Sequence, residues 1–225
     1  MAINKNSNLY TILYTVVMVV VVGALLATIA TVLKPLQEAN VLNEQKSSIM
    51  KAFGDEKGDF KDVKVYMLGE NGVSVEISSD ADIKKVFELI SNRKELAAAD
   101  VESGLPYFEY DNKMVIPVVG KGLWGDIWGY VALKNENGWQ VAGIVMDHAG
   151  ETPGLGAEIT TEGVQKMFVD KYLFNGGEFA LRMQKGGAKK GLEDFQVDAI
   201  TGGTKTCDGV NAMLKTSLMK YESLF

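Results

Sequence analysis

Between Lys5 and Lys34 the chain has no charged residue, and from Tyr10 to Leu33 it is almost wholly apolar, including Val16-Val17-Met18-Val19-Val20-Val21-Val22. Such a segment can satisfy its backbone in a bilayer only as a helix, and about 20 residues suffice to cross. The pattern predicts one transmembrane helix over residues 10–33, preceded by a short tail, residues 1–9. A cleaved secretory signal is the alternative, because Ala24, Ala27 and Ala30 supply small residues. The apolar core of a signal is only about 7–15 residues, however, which favours a retained anchor. No acid or base lies within the span, so it lacks the buried ionisable groups that mark an ion path. Lys5 before it and Lys34 after it give the positive-inside rule only a small bias to read.

Beyond the span the chain is acidic. Of 23 basic residues only Lys5 precedes the apolar segment, leaving 22 to face all 29 acids. That balance repels a phosphate backbone, so nucleic acid is not an expected partner. Cys207 is the only cysteine and His148 the only histidine. No internal disulfide can form, and a metal would find only hard oxygen ligands without a calcium-loop spacing, so no metal site is expected. No Ser-His-acid or Cys-His arrangement has a supporting motif either, and no catalytic residue is assigned.

The remaining pattern predicts an α+β fold: the single N-terminal transmembrane helix followed by a mixed or antiparallel sheet domain with flanking helices. Residues 34–58 read as a helical stalk, ended by Gly54 to Gly58. Val63 to Leu68 and Val73 to Ile77 alternate on either side of Asn71-Gly72, a hairpin signal. Asp82 to Lys94 fits an amphipathic helix through Ile83, Val86, Phe87 and Ile90, with a polar stretch to Gly104. Met114 to Val119, Ile127 to Leu133 and Trp139 to Met146 supply the central sheet, the last two joined by the turn Asn135-Glu136-Asn137-Gly138. Thr160 to Leu173 is expected to be helical. Short strands are expected at Phe179 to Met183 and Phe195 to Ile200, around the Gly186-Gly187 loop. Residues 59–105 carry no motif, and residues 106–225 carry all that follow.

The most informative of these is Asp198-Ala199-Ile200-Thr201-Gly202-Gly203-Thr204, followed by Lys205, Thr206 and an apolar helical pattern through Val210, Met213, Leu214, Ser217 and Leu218. Glycines here allow positive φ and close backbone approach, so successive N–H groups can point into one concavity that favours a phosphate. With Thr206 or Asp208 as cap, a group on Thr204 would lie near the positive end of the helix dipole, and Lys205 could add a compensating charge. A glycine turn leading into a capped helix is the simpler reading of these seven residues alone. Two further loops end strands in glycine: Gly120-Lys121-Gly122-Leu123-Trp124-Gly125, and His148-Ala149-Gly150-Glu151-Thr152-Pro153-Gly154-Leu155-Gly156.

The acidic-leader, hydroxyl, small-small-threonine run resembles the signal that flavin transferases modify. Together with the two loops and the single anchor, it is similar to the FMN-binding domain family, as found in the C subunit of the sodium-pumping NADH:quinone oxidoreductase (Nqr) and the G subunit of the Rnf complex. The family usually has alanine where this chain has Gly203. The resemblance implies FMN bound covalently, its phosphate esterified to Thr204, with Thr201, Gly202, Gly203, Lys205 and Thr206 around it. Trp124 is suited to pack on the flavin ring or at its edge, and equally to anchor a core or surface beside Trp128, while Lys121, Gly122 and Leu123 of the same loop are candidate cofactor-binding residues. Glu151 and Thr152 are suited to hydrogen-bond ring or ribityl groups, and Gly154 and Leu155 belong to the same loop, which can also be a plain connection from strand to helix. Lys185 is a candidate for the phosphate or the reduced ring, and His148 reads as a polar loop residue.

By resemblance the protein is an electron-transfer subunit of a Na+-translocating NADH:ubiquinone reductase, an ion-translocating enzyme of which it holds no complete active site. Its partners would be the other subunits, the lipid bilayer and a flavin transferase. Its place would be the bacterial inner membrane, single-pass, with the main domain on the periplasmic side. An Rnf-type ferredoxin:NAD complex is the alternative membership, and a membrane-anchored structural or assembly protein without flavin is the alternative class.

Overall fold

The computed structural model describes residues 8–186 and 192–225. The expected tail through residue 7, Lys5 included, and Gly187 lie outside the described residues. The chain divides into two units, Met1–Glu44 and Gln45–Phe225. The described residues of the first are helical: α1 runs over Asn8–Phe53, continuous through Pro35, so the expected span and stalk form one element. Its apolar window has a mean hydropathy of 2.8, long and apolar enough to cross a membrane. The threonines in it are no obstacle, because Thr15, Thr28 and Thr31 donate back to the carbonyls of Thr11, Ala24 and Ala27, each at 2.8 Å. A hydroxyl satisfied inside its own helix needs no water.

Helix α1 stops within the second unit at Gly54, whose φ of +86° only glycine adopts readily. The Gly54 N–H reaches the Lys51 carbonyl at 3.0 Å and the Asp55 N–H reaches Met50 at 3.1 Å, the paired bonds of a Schellman cap.

Six antiparallel strands follow, β1 (Lys64–Leu68), β2 (Ser74–Ile77), β3 (Leu105–Tyr110), β4 (Lys113–Lys121), β5 (Asp126–Asn135) and β6 (Trp139–His148). They form one sheet in the order β2-β1-β3-β4-β5-β6, which runs unbroken across the motif-free segment and the motif-bearing one. The hairpin at Asn71-Gly72 forms as expected, with φ of 58° and 72°. Strand β3 has no clear sequence signal. Leu105-Pro106-Tyr107-Phe108 is buried on both faces, so it lacks alternation, and Pro106 argues against a strand. The tight turn joining β3 to β4 is Asp111-Asn112, both at positive φ.

Between β2 and β3 the expected single helix is two, α2 (Asp80–Ser91) and α3 (Arg93–Ala98). Asn92 breaks them by accepting from the Glu95 N–H and so starting a new helix. The helix expected over 160–173 is largely absent. A 3-10 turn (Gly156–Thr160) leads to α4, only Glu162–Lys166. The open edge of β6 claims the rest: Asp170 N–H donates to Val141 at 2.8 Å, Val141 N–H to Lys171 at 2.9 Å, and Leu173 N–H to Trp139 at 2.9 Å. Strands β7 (Phe174–Asn175) and β8 (Glu178–Phe179) form a small hairpin, while β9 (Arg182–Gln184) and β10 (Gln196–Asp198) pair in parallel.

The last long helix, α5 (Thr204–Leu218), buries Val210, Met213, Leu214 and Leu218, as its spacing predicts. It comes very close to the sheet. A Cβ on Gly209 would strike the Lys121 carbonyl, and one on Gly120 would strike Met213. Beyond Val115 strand β4 has no β3 partner, and Ser217 fills that edge, donating to the Val119 carbonyl and accepting from its N–H, both at 3.2 Å. Asn211 makes the matching pair with Met183 in β9, at 2.7 and 3.0 Å. Gly209→Ala should destabilise the domain: overpacking against backbone costs about 1–3 kcal/mol, more than the roughly 1 kcal/mol that alanine gains in a helix. A denaturant midpoint at or above wild type would contradict this docking.

Candidate functional site

Helix α5 delivers its first turn to the place where two sheet loops meet. The β4–β5 loop closes through the Gly122 N–H to the Gly125 carbonyl at 2.8 Å, and the loop after β6 leans on it through the Ala149 N–H to Asp126 at 2.9 Å. The three motif segments thus converge on one cleft of about 130 Å³. It is lined by Leu123 and Trp124 from the first loop, Glu151, Thr152, Leu155 and Gly156 from the second, and Gly202, Gly203, Thr204, Lys205 and Thr206 from the third. A larger hollow of about 550 Å³, lined by Lys64, Tyr107, Lys113 and Trp139 among others, contains none of the motif residues.

Glu151 is the hub. It is buried, only 4% exposed. Its Oε1 accepts from the Trp124 N–H at 2.9 Å, and its Oε2 accepts from the Thr206 hydroxyl at 2.5 Å, across 55 residues of sequence. Burial disfavours the charged form, but the hydrogen bond from Thr206 and those from the N–H groups of Trp124, Leu123 and Gly125 outweigh it, holding the carboxyl below its ordinary value of 4.5. Gly122 and Gly156 wall the carboxylate, since a Cβ on either would run into it. His148 supports the same loop: its Nδ1 accepts the Glu151 N–H at 3.1 Å, which puts the ring proton of the neutral form on Nε2. This is the structural loop role expected of it.

The helix start differs in detail from the expectation. Gly203 is the N-cap and no side chain caps it. Thr206 lies inside the first turn, its hydroxyl spent on Glu151, and Asp208 pairs with Lys205 at 3.7 Å. The first helical bond runs from the Cys207 N–H to Gly203 at 2.9 Å. The N–H groups of Thr204, Lys205 and Thr206 therefore have no intrahelical carbonyl to meet, and the exposed Thr204 side chain sits at the positive end of α5. Of the two motif glycines only Gly202 has positive φ, +77°, with Leu155 packed where its Cβ would be. Gly203 has φ −99°, which alanine also adopts; an added Cβ would sit 3.1 Å from Ile200 Cγ2, so the usual family residue needs only a small shift there.

Other residues singled out by sequence stand outside the cleft lining. Lys121 is ion-paired with Asp126 at the β4–β5 corner. Gly122 lies beneath the carboxylate, Gly154 makes a positive-φ turn, and Thr201 is exposed in the turn before Gly202. Lys185 is exposed just past β9, beside the threonine segment through the Ala199 N–H to Gln184 at 3.2 Å. Trp124 is 69% exposed and so is no core anchor, whereas Trp128 stacks under the Arg93 guanidinium at 3.3 Å. Sequence reasoning missed the Glu151–Thr206 bond and the Asn211 brace, which join residues with no local signal.

A membrane-anchor-length helix followed by an antiparallel sheet whose strand-end loops converge on a threonine at a helix N-terminus defines a class: residues 122–219 match the FMN-binding domain family. Along its length the chain is similar to proteins named as the C subunit of Na(+)-translocating NADH-quinone reductase. That of Vibrio anguillarum is 29% identical over 93% of this chain and 90% of its own. That of Chlamydia pneumoniae is 34% identical over 62% of this chain, an alignment spanning 47% of the relative's length. The crystal structure of the corresponding C subunit from Parabacteroides distasonis superposes with a TM-score of 0.67 at 28% identity, covering 85% of this chain and 96% of that one. The Shewanella oneidensis NqrC structure gives 0.63 at 28% identity, over 82% and 99%. The resemblance drawn from the three motifs is borne out.

Because the Glu151 carboxyl is held below its ordinary value, the stability its charge contributes is present above the normal carboxylate range and is lost as pH falls through the lowered value. Glu151→Gln should therefore cost about 1–3 kcal/mol near neutrality. The gap from wild type should narrow below roughly pH 4, the ordinary glutamate range. Unfolding midpoints recorded against pH read this directly, and a gap that widens in acid would contradict the assignment.

Proposed function

We propose that this protein carries FMN esterified through its phosphate to Thr204, and that it serves as the membrane-anchored electron-transfer subunit of a Na+-translocating NADH:quinone reductase. The observation that supports this most is the convergence of all three motif segments on one cleft with the Thr204 side chain exposed at its edge. A phosphate there would meet the first-turn N–H groups and the positive dipole of α5, whose own first turn contains no acidic residue. Exposed Leu123, Trp124 and Leu155 offer apolar surface for the ring. FMN, once held, supplies reversible electron transfer that no side chain here provides.

The protein's own residues bind and orient. Thr204 would tether the cofactor, the first turn of α5 would receive its phosphate, and Trp124 and Leu155 would offer the ring apolar surface. Glu151 and Thr206 hold the loops in register. The cleft is smaller than the roughly 300–1,000 Å³ of pockets that engulf their ligands, so much of the cofactor stays accessible to neighbouring subunits. A tether suits that arrangement, because a shallow site outside the cell would otherwise lose its flavin. Maturation calls for a flavin transferase, and the relatives' names favour the NADH-quinone reductase over the Rnf membership. In this reading the apolar helix anchors a single-pass subunit in a bacterial inner membrane, with its main domain on the periplasmic side.

Coexpression with a flavin transferase should give a fluorescent band on a denaturing gel and an FMN-sized mass addition, both abolished by Thr204→Ala. Thr206→Ala should keep the addition, because the signal ends at Thr204. A dark wild-type band would favour the structural or assembly reading. Protease added to intact spheroplasts should remove the domain while sparing cytoplasmic markers; full protection would reverse the assigned side.

A further inference from the structure

Glu151 lines the cleft, yet its carboxylate is already committed. Oε1 is taken by the Trp124 N–H and Oε2 by the Thr206 hydroxyl. Two glycines, Gly122 and Gly156, leave space for this carboxylate and for little else, since a Cβ at either would come within 2.6 Å of one of its oxygens. The cations nearest in sequence to its partners are engaged elsewhere, Lys121 with Asp126 and Lys205 with Asp208. Among the described residues the charge is held by dipoles, namely N–H groups, a hydroxyl and the amino end of α5, and no cation pairs with it.

Dipoles solvate a buried charge without cancelling its field, so that field extends into the cleft. Building on the proposed function, we propose that Glu151 is a positioning residue of the flavin site. Its carboxylate clamps the Gly122–Gly125 loop to the first turn of α5 before any cofactor arrives, and it sets a fixed negative charge on the cleft wall that lowers the electron affinity of the flavin held there. Direct hydrogen bonding to the ring, the role its sequence position suggested, then falls to Thr152 and to backbone groups of the same loop.

The test uses full-length protein in detergent, with Glu151→Gln to remove the charge at constant shape and Thr206→Val to remove one donor while keeping the charge. In the flavin-carrying protein the midpoint potential should rise in Glu151→Gln and should not rise in Thr206→Val. An unchanged or lower potential in Glu151→Gln overturns the charge role. In the flavin-free Thr204→Ala background, the amides of Leu123, Trp124 and Gly125 should exchange about 10- to 100-fold faster in both variants, as expected when a hydrogen bond to a charged group is weakened. Wild-type exchange rates there overturn the clamp. Absence of flavin from the wild type would sink the proposed function, and the amide exchange would still decide the clamp.

Discussion

Backbone meets backbone where α5 crosses the end of β4, because Gly209 has no side chain to hold the helix off the Lys121 carbonyl and Gly120 has none to hold the strand off Met213. This proximity lets Val210, Met213, Leu214 and Leu218 reach the core. Each such side chain contributes about 1.5–3 kcal/mol when fully buried. Ser217 and Asn211 then fix the helix along and across its axis by pairing with Val119 and Met183. A helix so constrained has one place to begin, and that place is the cleft.

What the cleft contains follows from that starting point. The first turn of α5 arrives with N–H groups that have no intrahelical carbonyl and with Thr204 exposed, while Thr206 faces inward to Glu151. Successive hydroxyls at i and i+2 on a helix diverge by roughly 200° at 3.6 residues per turn. One threonine hydroxyl is therefore exposed while the other is committed to Glu151. The buried carboxylate, the exposed tryptophan and the accessible hydroxyl belong to one arrangement, in which the protein supplies scaffold and electrostatics and, in the proposed role, the flavin supplies the chemistry.

Much of this was legible from residue order. The apolar span, the Asn71-Gly72 hairpin, the β5–β6 pair and the periodicity of α5 are local signals, and each appears where its residues place it. Local signals failed where distant backbone competed for the same residues. The helical pattern after Thr160 gave way because the edge of β6 offered partners to Asp170 and Leu173. Strand β3 was hidden because burial on both faces erases alternation. At the site, the motif residues are legible from sequence, but their spelling points Thr206 to capping and Glu151 to a ligand, since neither reveals a partner 55 residues away.

The sequence by itself determined which segment is apolar enough to enter a bilayer, where the Asn71-Gly72 hairpin, the β5–β6 pair and α5 form, and which three segments carry motifs. These depend on side chains a few residues apart, whose spacing matches a helical turn or a pleat. Only the tertiary structure decided that three loops share one cleft, that Glu151 is spoken for, and that Trp124 stands in solvent while Trp128 lies under Arg93. Those outcomes depend on close packing between elements far apart in the chain, and the close fit of a glycine against a carbonyl has no counterpart in the order of residues alone.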